Sequence, residues 1–141
     1  MASLIPKFVK KEITDGWVSE TWKLMLLNNT HVSNAATQQF VSDVVSKEIV
    51  DTGIIPSYTA GGVAVSGKAS VANGNNYFLD ATDVVIGPGA TINYLYVILF
   101  KDTGIQATSP IRVQIDLGID QIVVNGTSTI QWNPVGIIYV S

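Results

Sequence analysis

The sequence predicts an all-β, single-domain protein of about eight antiparallel strands, with one short helix near residues 37–45. Valine and isoleucine together number 34 and leucine only 8. With 12 threonines, β-branched residues make up about a third of the chain, and such side chains favour strands over helices. Glycine, asparagine and aspartate recur at short intervals from residue 50 onward, which is typical of short strands joined by turns. A length of 141 residues fits one domain.

The first strand is predicted at Thr21–Leu27, which ends at a pair of asparagines. Before it, Lys7–Asp15 fits either an extended arm or a helical turn, so we divide the chain into an N-terminal arm (1–16) and a β domain (17–141). The helix is predicted at Thr37–Val45, where Phe40, Val41, Val44 and Val45 share one helical face. We expect it to be short and to pack over the end of a sheet.

The middle of the chain alternates between strand and turn signals. Ser57–Ser70 has the two-residue period of a half-buried strand around Val63 and Val65. Tyr77–Leu79 and Val84–Ile86 are short strand segments, and Gly87-Pro88-Gly89 predicts a turn after them.

The strongest strand signal is Thr91–Phe100, in which Tyr94–Phe100 is an unbroken apolar run. Seven residues are too few for a transmembrane helix, which needs about 20. An unbroken run indicates a strand that is covered on both faces. One face would meet the core, and a loop, a helix or a neighbouring subunit would cover the other. The low charge of the chain favours the neighbouring subunit. Lys101–Gly104 predicts an exposed turn.

The C-terminal part predicts further strands. Ile111–Leu117 alternates apolar with polar residues. Ile122–Val124 and Thr127–Trp132 flank Asn125-Gly126, a strong hairpin signal. Val135–Val140 ends the chain as a strand.

The composition restricts the possible functions. The net charge is −3 and only 13% of residues are charged, so the basic field typical of a nucleic-acid-binding protein is absent. The absence of cysteine excludes disulfides and thiolate metal sites. The N-terminus, MASLIPKFVKK, lacks the apolar core of a secretory signal, and no membrane association is predicted. High apolar content with few charges indicates a surface that binds other subunits.

Few residues suggest catalysis. His31, the single histidine, is expected to be a loop residue. The pairs Asp80/Asp83 and Asp116/Asp120 could serve glycoside hydrolysis or bind calcium, but aspartates at strand ends more often accept bonds from turn backbones. We expect no enzyme activity, metal or cofactor.

Aromatic and basic residues provide the candidate interface. Trp17, Trp22 and Trp132, with the tyrosines, fit core and interface anchors better than a carbohydrate platform. Three N-terminal lysines form the only basic cluster and fit either a solvated terminus or a docking arm for an acidic partner. The candidate interface residues are Lys7, Lys10, Lys11, Trp17, Trp22, Tyr94 and Tyr96.

An ordered set of motifs extends over most of the chain. They are FVSDV at Phe40–Val44, YTAGG at Tyr58–Gly62, ATDV at Ala81–Val84, FKDTG at Phe100–Gly104, TSPIRVQIDLG at Thr108–Gly118 and GTSTIQWNPVGI at Gly126–Ile137. With a KLMLL strand before them, they resemble a family of small structural proteins of tailed bacteriophages, over residues 18–140. The sequence departs from the family's pattern at Thr52–Ser57, where a longer or reshaped loop is expected, so loop contacts are not carried over.

Within that family the chain is most similar to capsid decoration, or cement, proteins. This resemblance implies a β-sandwich of jelly-roll type in the virion, on the outer surface of the capsid. The implied partners are the major capsid protein and further copies of the chain, as a homodimer or homotrimer. The alternative is a module of the phage tail that recognises the host.

Overall fold

The computed structural model of the chain describes residues 16–73, 76–132 and 138–140. These residues contain seven strands. The strands are β1 (Trp22–Leu27), β2 (Val63–Ala64), β3 (Ala69–Asn73), β4 (Asn76–Asp80), β5 (Val84–Lys101), β6 (Ile111–Ile130) and β7 (Ile138–Val140). All strand pairs are antiparallel, so the predicted all-β antiparallel class is confirmed.

The strands form two sheets. The larger has the order β2-β1-β5-β6, and the smaller has the order β3-β4-β7. The long ribbon formed by β5 and β6 dominates the larger sheet, and β1 pairs with the second half of β5, from Tyr96 to Lys101. The main apolar core contains Leu24 and Leu26 of β1 together with Leu79 of β4, so it includes residues of both sheets.

The apolar run of β5 is covered on both faces, as predicted. Val97 and Leu99 belong to the main core, whereas Ile98 and Phe100 belong to a second apolar cluster on the opposite face. Val41 and Val44 also belong to that second cluster, together with Met25 and Leu27 of β1. The cover therefore comes from the chain itself, and the expectation that a neighbouring subunit would supply it is wrong for this strand.

The predicted helix at Thr37–Val45 is replaced by two short 3₁₀ turns, Val41–Asp43 and Val45–Lys47. An α-helix is disfavoured here by β-branched side chains and by competing backbone bonds. The N–H of Val41 donates to the carbonyl of Ser109 at 3.0 Å, which ties the segment to the start of β6. Val41 and Val44 are buried as expected, but Phe40 lies at the surface.

Two predicted turns lie inside strands. Gly87-Pro88-Gly89 falls within β5, where the pairing shifts from Ile86 opposite Ser128 to Ala90 opposite Gly126. The Gly87–Pro88 peptide bond is cis. Asn125-Gly126 falls within β6 and forms no hairpin. The glycines and Asn125 instead provide the backbone conformations of β-bulges, with positive φ at Gly87, Gly89 and Asn125.

These corrections change the strand count. The predicted strands at Val84–Ile86 and Thr91–Phe100 merge into β5, and the three between residues 111 and 132 merge into β6. The long strand predicted within Ser57–Ser70 is reduced to β2 and the first residues of β3. The turn after Lys101 is confirmed, with Thr103 and Gly104 exposed and Gly104 at a φ of 85°.

At the N-terminal end, residues 16–19 form a helical turn that places Trp17 in the core. The predicted arm lies, apart from Gly16, outside the described residues. The part of Val135–Val140 that the structure describes is β7. Within the described ranges, no helix is long and apolar enough to cross a membrane.

Candidate interaction surface

Three of the four aromatic residues predicted at an interface lie inside the domain. Trp17 and Trp22 are buried and meet edge to face, with ring centroids 4.7 Å apart. The Trp17 indole donates to the carbonyl oxygen of Asp80 at 3.0 Å. Tyr94 is buried and its hydroxyl lies 2.7 Å from that of Ser128. These side chains are part of the core, so they can influence the binding of a partner only through the residues that surround them.

The other candidates are less enclosed or lie elsewhere. Tyr96 is half-buried and packs edge to face against His31, with centroids 4.9 Å apart. Trp132 is half-buried and its indole donates to the Thr82 carbonyl at 3.1 Å. Lys7, Lys10 and Lys11 lie outside the described residues. Of the tryptophans, Trp17 and Trp22 are buried and only Trp132 is partly exposed.

The residues considered for catalysis have structural partners. His31 is in a loop, as predicted, but is buried, and its Nε2 lies 3.0 Å from Oε1 of Gln114. Asp80, at the end of β4, accepts the backbone N–H of Ala81, which is the role predicted for it. Asp116 accepts the N–H of Gly118 but lies inside β6, not at a strand end. Among the residues described, no cluster of three or more histidine or acidic side chains is placed to hold a metal ion.

The remaining two acidic residues also bond to other parts of the fold. Asp83 accepts the N–H of Trp132 at 3.3 Å. Asp120 accepts a bond from the Asn29 side chain at 3.0 Å through Oδ2. Its other oxygen, Oδ1, is buried and has no hydrogen-bond partner in the described part of the chain. Asp116 and Asp120 bracket a bulge of β6, since Tyr96 pairs with Asp116 and Tyr94 with Gln121.

The most distinctive surface feature is a group of exposed aliphatic side chains, which we call the apolar patch. It consists of Val50, Ile54, Ile122 and Val124, each between 67% and 75% exposed. Three of them line one open groove of about 460 Å³, and Ile54 joins them because its backbone N–H binds the side chain of Asn125, next to Val124. No member of the patch is charged, although Glu48 also lines the groove.

The groove is built from three segments. They are residues 48–50 with Thr52, residues 91–93 of β5 and residues 122–124 of β6, and Asn28 also contributes to the lining. The first of these segments leads into a loop in which Thr52 and Ile55 donate backbone hydrogen bonds to the carbonyls of Thr91 and Gly89 in β5. The loop therefore lies against β5 in the way a further strand would.

One buried carboxylate fixes this loop. Asp51 accepts four backbone N–H bonds, from Gly53 and Thr91 through Oδ1 and from Ser57 and Tyr58 through Oδ2, at 2.7–3.1 Å. Burial of the carboxyl group opposes its ionisation, but the four donors outweigh that effect and lower the pKa of Asp51 from 3.8 to about 2. The loop is thus held in one conformation by a permanently ionised group at neutral pH.

A second carboxylate, that of Glu48, fixes the residues that follow the loop. Glu48 accepts bonds at 2.8 Å from the Tyr58 hydroxyl and from the N–H of Gly61. The Tyr58 hydroxyl in turn accepts the N–H of Leu26 in β1 at 3.0 Å. Burial and the neighbouring Glu48 raise the pKa of Tyr58, so the phenol remains protonated and keeps donating.

A close backbone contact completes the attachment. A Cβ atom at Gly53 would lie 2.0 Å from the carbonyl oxygen of Gly89, so only glycine allows the loop to approach β5 this closely. Asn125 adds a side-chain bridge: its Oδ1 accepts the N–H of Ile54 at 3.1 Å, and its own N–H donates to the Thr91 hydroxyl at 2.9 Å. The loop, β5 and β6 are therefore joined by hydrogen bonds beside the groove.

Sequence reasoning missed both the patch and Asp51. Asp51-Thr52-Gly53 is a recognisable aspartate-initiated turn, because an aspartate commonly accepts the N–H two residues later. The long-range bond from Asp51 to Thr91 has no local signal. Ile122 and Val124 alternate with Val123, which packs against the core, but the hairpin interpretation hid which face they occupy.

Comparison of the chain with models of protein families, with curated proteins and with solved structures gives no match. The functional interpretation therefore depends on the chain's own residues and on the motif resemblance.

Proposed function

We propose that the chain is a structural protein of a bacteriophage virion that acts without catalysis, as a capsid decoration protein on the outer surface of the head. Its partners are the major capsid protein and further copies of itself, and it uses no nucleic acid, membrane or cofactor. The observation that supports this proposal best is the apolar patch, which is formed by β6 and by a loop that hydrogen bonds fix at several points. The motif resemblance supplies the phage assignment.

The patch favours an assembly role for an energetic reason. Exposed aliphatic groups give roughly 25 cal/mol per Å² when a partner buries them, so four such side chains favour association by several kcal/mol before its entropic costs. The anchored loop reduces the cost of ordering this surface on binding. A rigid apolar surface with few charges suits contact with another protein subunit.

The jelly-roll arrangement with eight strands belongs to the same proposal. In its support, one apolar core contains residues of both sheets, with Leu79 of β4 beside Leu24 and Leu26 of β1. An experimental structure that defines the path from residue 133 to β7 tests this arrangement. A path that adds no strand beyond the seven would contradict it.

The proposed mechanism is stabilisation by preferential binding. A protein that binds the assembled lattice, and not free capsid subunits, shifts the equilibrium toward the intact head. Copies that engage several subunits at once gain avidity from effective concentration, so each contact can be weak.

The test uses phage heads that lack the chain. Purified chain is added to heads and, separately, to unassembled major capsid protein, and each mixture is sedimented. We expect saturable binding to heads only, together with a higher melting temperature of the head. Failure to bind heads would overturn the proposal.

Electron cryomicroscopy of the virion tests the alternative: density for the chain in the tail would favour a tail or host-recognition module over a decoration protein.

A further inference from the structure

We propose that the apolar patch is the contact between two copies of this chain, which associate face to face about a two-fold axis. This inference concerns the surface on which the proposed function rests and names its occupant. The capsid contact would then lie on another part of the domain.

The chemistry of the patch allows it to bind itself. Glu48 lines the same groove, but its carboxylate is bonded to the Tyr58 hydroxyl and to the N–H of Gly61. In a two-fold contact, a charge near the axis would meet the same charge of the other copy. Val50, Ile54, Ile122 and Val124 carry none. The groove between them also gives each copy a recess beside its protruding aliphatic side chains, so the two surfaces can interlock.

The position of the patch indicates that the described residues cover only part of the apolar surface on one face of the larger sheet. On one face of the larger sheet, the chain's own segment with Val41 and Val44 covers Ile98 and Phe100. Farther along the β5–β6 ribbon, Ile122 and Val124 are 67% and 71% exposed, so the described residues leave that part uncovered. A second copy placed there would extend the same apolar layer, as sheets do when they pack face to face.

The edge of the sheet leaves room for that copy. β6 is the last strand of its sheet in the described residues, with β5 as its only strand partner. Residues 39–41 bond to residues 109–111, which covers the beginning of β6 but not the part that carries Ile122 and Val124. A second copy can therefore approach the patch without displacing a described segment.

The available area fits a two-fold contact. Each exposed aliphatic side chain can lose on the order of 100 Å² to a partner, so four of them with the groove walls provide roughly 500 Å² per chain. Two copies together would bury on the order of 1,000 Å², which is near the lower limit for a specific interface. The expected dimer is therefore reversible and of modest affinity.

The first test is the mass of the chain in solution, measured by light scattering after gel filtration at about 100 μM, where a dimer with micromolar Kd is mostly formed. We expect twice the 15.1 kDa of one chain. Ile122→Lys should weaken association at least tenfold, because it places two like charges near the axis. The control is Ile105→Lys, at a similarly exposed isoleucine in the loop after β5, and it should remain dimeric. Far-ultraviolet circular dichroism establishes that both variants are folded.

A second test does not depend on a destabilising charge. The chain has no cysteine, so Ile122→Cys introduces a single thiol. A short bis-maleimide should join two copies of this variant in high yield and should leave Ile105→Cys largely uncoupled. Monomeric wild type at about 100 μM, or an Ile122→Lys variant that remains dimeric, would overturn the inference.

Head binding separates this inference from the proposed function. A monomeric wild type that binds heads, and loses binding with Ile122→Lys, would show that the capsid protein occupies the patch. In that case the self-association inference fails and the decoration function stands. A dimer that does not bind heads would give the opposite result, with the inference supported and the decoration function overturned.

Discussion

Oδ1 of Asp51 accepts the backbone N–H of Thr91 at 2.9 Å, and this bond joins two residues that lie 40 positions apart in the sequence. The same oxygen accepts the N–H of Gly53, so the turn at the start of the loop and the middle of β5 share one acceptor. The conformation of the loop and the position of Val50 and Ile54 in the apolar patch therefore depend strongly on this carboxylate.

Replacement of Asp51 by alanine should lower the free energy of unfolding by roughly 2–4 kcal/mol, because four N–H donors lose a charged acceptor in a mostly buried place. Urea denaturation measures the change. Asp116→Ala is the matched control, since Asp116 is exposed and accepts one N–H, from Gly118. Its cost should stay below about 1 kcal/mol. Equal losses of unfolding free energy at both positions would show that the four hydrogen bonds of Asp51 stabilise the fold no more than the single bond of Asp116.

Stability should also depend on pH through this group. The pKa of Asp51 is about 2 in the folded protein and near 3.8 in the unfolded chain, so the unfolded chain binds more protons between these values. The stabilisation by Asp51 is fully present above about pH 5 and is lost as the pH falls through 4 toward 2.

The measurement is the difference in unfolding free energy between wild type and Asp51→Asn, taken from pH 6 to pH 2. The asparagine does not titrate, so the difference should shrink as the pH falls through this window. Other carboxylates cancel in the comparison, including Asp102, whose pKa is lowered by the N–H of Gly104 and by Lys23. A difference that stays constant with pH would contradict the lowered pKa.

The all-β class and the doubly covered strand could be predicted from the sequence because both depend on local composition. The run from Tyr94 to Phe100 contains no polar residue for a wet face, so burial of both faces follows directly. The identity of the cover could not be predicted. It depends on the contact of Val41 and Val44 with Ile98, across more than 50 residues of sequence.

The two turn predictions inside β5 and β6 were wrong for a different physical reason. Positive φ at glycine or asparagine is needed both by tight turns and by β-bulges, so the residue types alone do not separate the two. Asn125 and Gly89 occupy bulges on neighbouring strands, and the pairing between β5 and β6 continues past both. Only that long-range pairing distinguishes one long ribbon from several short hairpins, and it has no local signature.

Gly53→Ala should destabilise the fold by about 2–4 kcal/mol, since its Cβ would lie 2.0 Å from the Gly89 carbonyl oxygen and 2.6 Å from the Thr91 nitrogen. Both obstacles are backbone atoms of a paired strand and cannot move aside easily. The control is Gly126→Ala, where the nearest atom is a side-chain methyl of Val123 at 3.3 Å and φ is not positive. Thermal unfolding compares the two variants. A Gly53→Ala protein as stable as Gly126→Ala would mean that the loop does not lie this close to β5.

The last prediction separates two roles of Asn125, its backbone conformation and its side-chain bonds. Its φ is 47°, in the left-handed region, and its Oδ1 accepts the N–H of Ile54. Asn125→Gly keeps the conformation available and removes only the bonds, so it should cost about 1 kcal/mol. Asn125→Ala removes the bonds and adds the strain of a Cβ in the left-handed region, so it should cost a further 1 kcal/mol or so. Urea denaturation of the three proteins gives both differences. If alanine proves as stable as glycine at this position, residue 125 does not adopt the left-handed conformation, and the bulge that brings Val124 into the apolar patch would have to be assigned to a different residue.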